Sequence, residues 1–328
     1  TRLAGYESPY WKLKRAQYGA KQSLRCWGLR LPRWMVKQGF RRSSTDSCLY
    51  LMDWEARESY TSGSLHDPDI DPNSPIVNQA TFDKRCKGPQ CDTKVYKQIA
   101  VVVYVDDLAC RVCLGDAETR ARYDKFVADM QAEFIVEDRG DCDSMLGYKI
   151  DYDRFAGILK LTQKSCLVKL LDEADLAECR PKYQPCPTGV KPSVKWCLDP
   201  DTDEGKIDAS YLLDKDYRGR VGSLNWLSRG CRLDISWVTG MLSRHLANPS
   251  RKHWDLSTHV LRWLSTTKDR GIVYRRSSSG LMLKGFVDGD WLADYGNHAE
   301  NRKCVTGYAF TLCGASVSWR SFKQQRVA

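Results

Sequence analysis

An α+β fold is the class that this 328-residue sequence predicts, and three observations carry the prediction. Apolar residues recur at helical spacing over Lys21–Gln38, Ala117–Phe134 and much of Tyr217–Thr266. Short apolar runs at Cys48–Met52, Ile99–Val103, Phe134–Val136, Met145–Ile150, Leu281–Val287, Val305–Leu312 and Ala315–Trp319 read as strands. No internal repeat is visible, and a stretch over 180–210 containing Pro181, Pro185, Pro187, Pro192 and Pro200 divides the chain as a linker.

The first of these segments is aromatic and basic. Tyr10, Trp11, Tyr18, Trp27, Trp34 and Phe40 interleave with ten lysines and arginines between Lys12 and Arg42. The rings either pack in a core or stack on bases, while the cations suit phosphates. Leu24, Trp27, Leu31, Trp34 and Met35 lie on one helical face, and Pro32 is the weak point of that helix. Residues 54–96 are rich in Asp, Pro, Ser and Gly, show no sustained period, and read as a long loop or insertion. Beyond it, Tyr123, Phe126, Val127 and Met130 mark the apolar face of Ala117–Phe134. Leu167–Ala174 reads as a short helix, and the helices after Tyr217 break near Gly230 and at Asn248-Pro249.

The most telling segment is Tyr104-Val105-Asp106-Asp107, between Ile99–Val103 and Leu108-Ala109-Cys110. Apolar run, acidic pair, apolar run describes a buried hairpin with two carboxylates at its turn. Ordinary hairpin turns favour Asn-Gly or Asp-Gly, and adjacent aspartates repel. Such pairs do occur on solvated turns, but these flanks are too apolar for an exposed edge. Oxygen-only ligands on a rigid turn suit magnesium and phosphoryl chemistry.

Composition narrows the partners. Residues 1–42 hold eleven Lys/Arg against one acid, 43–213 hold 21 against 31, and 214–276 hold 13 against five. Two basic lobes around an acidic middle suit a polyanion held at both ends. No apolar stretch approaches the ~20 residues that span a bilayer, and there is no signal-peptide pattern, so no membrane partner is expected. The fourteen cysteines read as reduced thiols of an intracellular protein. Cys86/Cys91 and Cys110/Cys113 lack a second pair at zinc-site spacing, so no zinc is expected.

Eight segments, in order, resemble the reverse transcriptase and the start of the ribonuclease H region of copia-type LTR retrotransposon Pol polyproteins. They are Trp11–Trp27, Tyr104–Leu108, Phe134–Ile150, Tyr217–Leu224, Arg232–Ile235, His253-Trp254 with Val260–Leu264, Phe286–Asp294 and Ser318–Gln325. The resemblance implies a right hand of palm, fingers and thumb over 1–180, with 54–96 inserted. It also implies a linker over 181–216, a helical connection over 217–275, and the N-terminal part of a ribonuclease H-like α/β domain over 276–328. The implied activity is RNA-directed DNA synthesis by two-Mg2+ nucleotidyl transfer from dNTPs, on an RNA template with a DNA primer. Asp106 and Asp107 are then catalytic metal ligands, and Asp288 is the first metal-binding carboxylate of the ribonuclease site. Gly19, Lys21, Gln22 and Arg25 fall at the nucleotide and template pocket, Tyr104 and Val105 near the primer end, and Leu146 and Gly147 at the primer-grip strand. Integrase and protease segments, a capsid-like particle in the cytoplasm and nuclear entry are implied as context. A third polymerase carboxylate belongs upstream of residue 1 in the family pattern, and the ribonuclease glutamate belongs beyond residue 328. The chain is thus expected to be a fragment truncated at both ends and inactive by itself. The lysine that the family carries near Glu137-Asp138-Arg139-Gly140 is absent. A degenerate nucleic-acid-binding copy without catalysis is the competing reading.

Overall fold

A computed structural model describes residues 21–54, 97–112, 115–276, 282–289 and 305–324. The chain forms two compact units, residues 1–142 and 143–328, each of which mixes helices with antiparallel sheet. The predicted α+β class is what is observed. Residues 55–96 of the insertion and Gly19 lie outside the described residues.

The first unit begins with helix α1 (Lys21–Lys37), which runs straight through Pro32. The proline costs one backbone donor, while the flanking Leu31, Trp34 and Met35 are buried and hold the helix in place. Four strands follow, β1 (Arg41–Arg42), β2 (Leu49–Asp53), β3 (Gln98–Tyr104) and β4 (Asp107–Arg111), paired antiparallel in chain order. Helix α2 (Ala117–Glu133) closes the unit, started by Asp116, whose carboxylate accepts the Thr119 N–H at 2.8 Å. Alternation along the strands sends Tyr50, Ile99 and Val101 into a core with Leu31, Trp34, Met35, Phe40, Phe126 and Met130. The expected strand at Phe134–Val136 is not formed. Phe134 instead ends α2 in an extended conformation, and Ile135 is fully exposed, so three apolar residues found no neighbouring strand to pair with.

The second unit opens on the hairpin β5 (Ser144–Met145) and β6 (Tyr148–Asp153), extended by β7 (Ile158–Thr162) and by β8 (Ile272–Arg275) from far along the chain. Met145–Ile150 is therefore not one strand but two, folded back at Leu146-Gly147. Both turn residues have positive φ, 54° and 77°, as a two-residue type I′ turn requires. Helices α3 (Lys164–Glu173), α4 (Asp203–Leu212), α5 (Tyr217–Gly230), α6 (Ser236–Leu242) and α7 (Arg251–Thr266) lie between β7 and β8. The breaks read near Gly230 and Asn248-Pro249 are where α5 and α7 respectively end and begin. Gly230 leaves room for Gln163, since a Cβ there would sit 2.2 Å from its Oε1. That oxygen accepts the Cys231 N–H at 2.8 Å, satisfying the chain as it leaves α5. Within the proline-rich stretch, Cys186, Val190 and Trp196 pack on the helical core of Val221, Leu224, Leu227, Leu261 and Leu264. The last three strands, β9 (Lys284–Gly289), β10 (Val305–Leu312) and β11 (Ala315–Lys323), form a sheet of order β11-β10-β9.

A charged pair stitches this unit together. Arg232, only 3% exposed, donates to both carboxylate oxygens of Asp234 at 2.9 and 2.7 Å and to Thr267 O and Oγ1 at 3.1 and 2.6 Å. Trp263 Nε1 donates to the same carboxylate at 2.9 Å. The pair links the α5–α6 connection to the end of α7. Burial pushes the Asp234 carboxyl up, but the bonds from Arg232 and Trp263 outweigh it and hold the group below its ordinary range. Asp234→Ala strands a buried guanidinium, so urea unfolding of this unit should show a loss of about 3 kcal/mol. A loss under about 1 kcal/mol, the size of an exposed pair, would show that the pair is only ornamental. Because the folded carboxyl titrates lower than the unfolded one, its contribution is complete above about pH 4 and is lost as pH falls through the folded value. The stability gap between the wild-type chain and Asp234→Asn should therefore narrow on acidification below about pH 4.

Candidate functional site

The register of β3 and β4 decides what the acidic hairpin presents. Val103 pairs with Leu108 and Val101 with Cys110, and these four face the core of the first unit. Tyr104 pairs with Asp107 and Val102 with Ala109, so they share the opposite, open face. Tyr104 is 53% exposed, and both Asp106 and Asp107 are exposed. The connection is a two-residue turn of Val105 and Asp106. Val105 has φ +53°, the first-position sign of a type II′ turn, which normally selects glycine. A β-branched side chain there is strained by about 1–3 kcal/mol.

A hydrogen bond from α1 holds this turn: Trp27 Nε1 donates to the Val105 carbonyl. The Trp27 ring packs edge-on against Phe134, with 5.3 Å between centroids, so the indole is itself braced. Sequence periodicity marked Trp27 only as a helix-face aromatic. Arg25 is exposed two residues earlier, and Lys21 and Gln22 begin α1. At the other end of the open face, Asp53 takes Arg41 at 3.0 Å and Gln98 at 2.5 Å, and Gln98 takes Arg111 at 3.0 Å. Among the described residues, the carboxylates of Asp106 and Asp107 are engaged by no ion pair or hydrogen bond of this kind. Two free, exposed, oxygen-only donors on a short turn fit a hard divalent cation such as Mg2+.

The other predicted positions lie in the second unit. Leu146 and Gly147 form the β5–β6 turn. Asp288 is exposed on β9 opposite Gly307 of β10. It borders a cavity of about 610 Å³ with Ser236, Trp237, Tyr308, Trp319 and Arg320. Trp319 ties that wall to α5 by donating to Ser228 O at 2.8 Å. One carboxylate beside hydroxyl and guanidinium groups is compatible with a phosphate-bearing ligand.

One cluster escaped the sequence reading. Cys197, His245 and His253 each bring a ligand atom within 4.8 Å of the others. Burial lowers His245, and takes His253 down to about 4, so both rings are neutral near pH 7. Their separations of 48 and eight residues match no short metal-binding pattern, so pair spacing alone could not reveal them.

The chain aligns with known proteins along nearly its whole length. It is 27% identical over 326 residues to the retrovirus-related Pol polyprotein from transposon TNT 1-94 of Nicotiana tabacum, covering 99% of this chain and 20% of that protein. It is 25% identical over 317 residues to the one from transposon RE2 of Arabidopsis thaliana, covering 96% of this chain and 17% of that protein. An uncharacterised mitochondrial protein of Arabidopsis thaliana is 25% identical over 228 residues, which is 70% of this chain and 85% of that protein. No family model matches, and no solved structure matches. Similarity to the Pol polyproteins of plant copia-type transposons over 96–99% of the chain supports a retrotransposon Pol polyprotein fragment, as the motifs indicated. The chain spans about a fifth of the length of the curated Pol polyproteins it matches.

The strained turn generates a test. Val105→Gly removes the penalty of a β-branched side chain at positive φ and should stabilise the first unit by about 1 kcal/mol, after the greater freedom of glycine in the unfolded chain is counted. Equal or lower stability in urea would mean that the turn relaxes at no cost.

Proposed function

We propose that this chain serves RNA-directed DNA synthesis as the reverse transcriptase palm hairpin, the helical connection and the first strands of a ribonuclease H-like domain. The observation that carries the reading is the hairpin itself. Tyr104-Val105-Asp106-Asp107 closes two core strands with its carboxylates free on an open sheet face. The Pol relatives support the same region of a transposon polyprotein.

The reaction class is nucleotidyl transfer. The oxygen of the primer 3′-hydroxyl attacks the α-phosphorus of a dNTP, its proton leaves, and pyrophosphate departs. Magnesium, when bound, lowers the pKa of that hydroxyl and offsets charge on the departing oxygen. Asp106 supplies a carboxylate from the turn and Asp107 one from the first residue of β4. Tyr104, directly across from Asp107, offers a ring beside them for the primer terminus. Val105, held by Trp27, sets the height of the turn. Lys21, Gln22 and Arg25 belong to the helix whose Trp27 holds the turn, and in this reading they serve the nucleotide phosphates and template. Leu146 and Gly147 shape a tight second hairpin for the primer strand, and Asp288 with its cavity begins the ribonuclease centre. RNA template, DNA primer and the remaining Pol segments are the partners of this reading, within a cytoplasmic particle.

The basic segments 1–42 and 214–276 should make binding strongly salt-dependent. Fluorescence anisotropy of the 328-residue chain on a primer–template should show tightening by Mg2+. Asp106→Asn should weaken the Mg2+-dependent part roughly tenfold, about 1.4 kcal/mol. Salt-dependent binding that Asp106→Asn leaves unchanged would replace this proposal with a nucleic-acid-binding copy that performs no chemistry.

A further inference from the structure

We infer that Cys197, His245 and His253 form a zinc-binding site that clamps the proline-rich segment onto the helical part of the second unit. The three residues come from separate places. Cys197 follows the 3-10 turn Val194–Trp196, His245 ends the 3-10 turn Ser243–His245 after α6, and His253 lies in the first turn of α7. All three ligand atoms lie within 4.8 Å of one another.

The spacing is that of a ligand set. Cys197 Sγ is 3.4 Å from His245 Nδ1. Zn–S and Zn–N bonds of about 2.3 and 2.0–2.1 Å at a tetrahedral angle separate sulfur from nitrogen by about 3.5 Å. The His245 and His253 rings are 4.3 Å apart between centroids and inclined by 31°, so drawing both nitrogens onto one ion turns the rings out of this near-stacked arrangement. One thiolate with two imidazoles is a soft-to-borderline donor set that selects zinc over magnesium or calcium. Water, admitted at the half-buried Cys197 side, completes four-coordination.

A second observation is independent of the spacing. His253 is fully buried, yet its Nε2 has no hydrogen-bond partner. Buried polar atoms are rarely left so, because each costs about 1–3 kcal/mol. The other ring nitrogen is well supported. Nδ1 lies 3.1 Å from the Ser250 N–H and 2.9 Å from Ser250 Oγ. In the metal-free protein the N–H of Ser250 donates to Nδ1, which leaves the ring proton on Nε2. On binding, that proton moves to Nδ1, where Ser250 Oγ accepts it, the Ser250 N–H gives up Nδ1 as its acceptor, and the freed Nε2 lone pair meets the ion. A metal-bound histidine usually donates its far N–H to a polar neighbour, and Ser250 Oγ is the acceptor within reach of Nδ1. The Cys197 thiol loses its proton to solvent, so one proton leaves for each Zn2+ bound. Trp196 packs 5.1 Å from the His253 ring and shields one side.

The test uses the full 328-residue chain stripped with a chelator and titrated with Co2+ as the spectroscopic probe. A thiolate-to-cobalt charge-transfer band and tetrahedral ligand-field bands should saturate at one equivalent and vanish when Zn2+ is added. Cys197→Ser should abolish the charge-transfer band, and Cys142→Ser, at an exposed cysteine in the other unit, should retain it. Zn2+ should raise the unfolding temperature of the wild-type chain but not of Cys197→Ser. No band in the folded wild-type chain, or a band undiminished in Cys197→Ser, overturns the proposal and leaves a plain thiol–imidazole hydrogen bond. Because no nucleic acid enters the measurement, its result is separable from the fate of the polymerase reading.

Discussion

The two-residue turn between β3 and β4 is the constraint on which the first unit depends. A strand repeats every two residues, so one residue more or less in that turn would send either Val101 and Val103 or Leu108 and Cys110 to the open face. Tyr104 or Asp107 would then point into the core, where an unpaired carboxylate is costly. The turn is short enough to force Val105 to φ +53°, and the strain is held by the apolar pairs on either side and by the Trp27 hydrogen bond. Stability and presentation of the carboxylates are thus one problem with one solution. The core face sets the register, and the register exposes the acids.

The second unit solves a different problem, that of joining helices to strands far apart in the chain. Strand β8 follows α7 yet pairs with β7, over a hundred residues earlier. The helices between must return the chain to the sheet. Apolar packing of Val221, Leu224, Leu227, Val260, Leu261 and Leu264 supplies the attraction. It is non-directional, however, and the Arg232–Asp234–Trp263–Thr267 bonds supply the direction. A fork-to-fork guanidinium–carboxylate pair admits few geometries, so it selects one way for α7 to end against the start of α6. The further ties, Trp319 to Ser228 and Tyr274 to Ser316, bind the last sheet to that frame.

Much of this was legible in the sequence because it is local. The helices at 21–37, 117–133, 217–230 and 251–266 are written in 3.6-residue periods. The last three strands are written in apolar runs. Phe134–Val136 misled because an apolar triplet says nothing about a partner strand. Met145–Ile150 misled because Leu146-Gly147 was read as part of a run, although glycine after a residue able to enter the left-handed region is a turn signal. For residues 180–210, prolines show that a segment is irregular without showing whether it is anchored.

By itself the sequence determined the α+β class, the acidic hairpin, the uneven charge and the kinship with retrotransposon Pol proteins. Each is a property of neighbouring residues or of their order. Tertiary structure alone decided that Trp27 reaches the Val105 carbonyl 78 residues away and that Arg232 is buried against the end of α7. It alone set Cys197 beside His245, across 48 residues. Side-chain periodicity tells which way a residue faces but not what it meets there, and what it meets depends on how the whole chain packs.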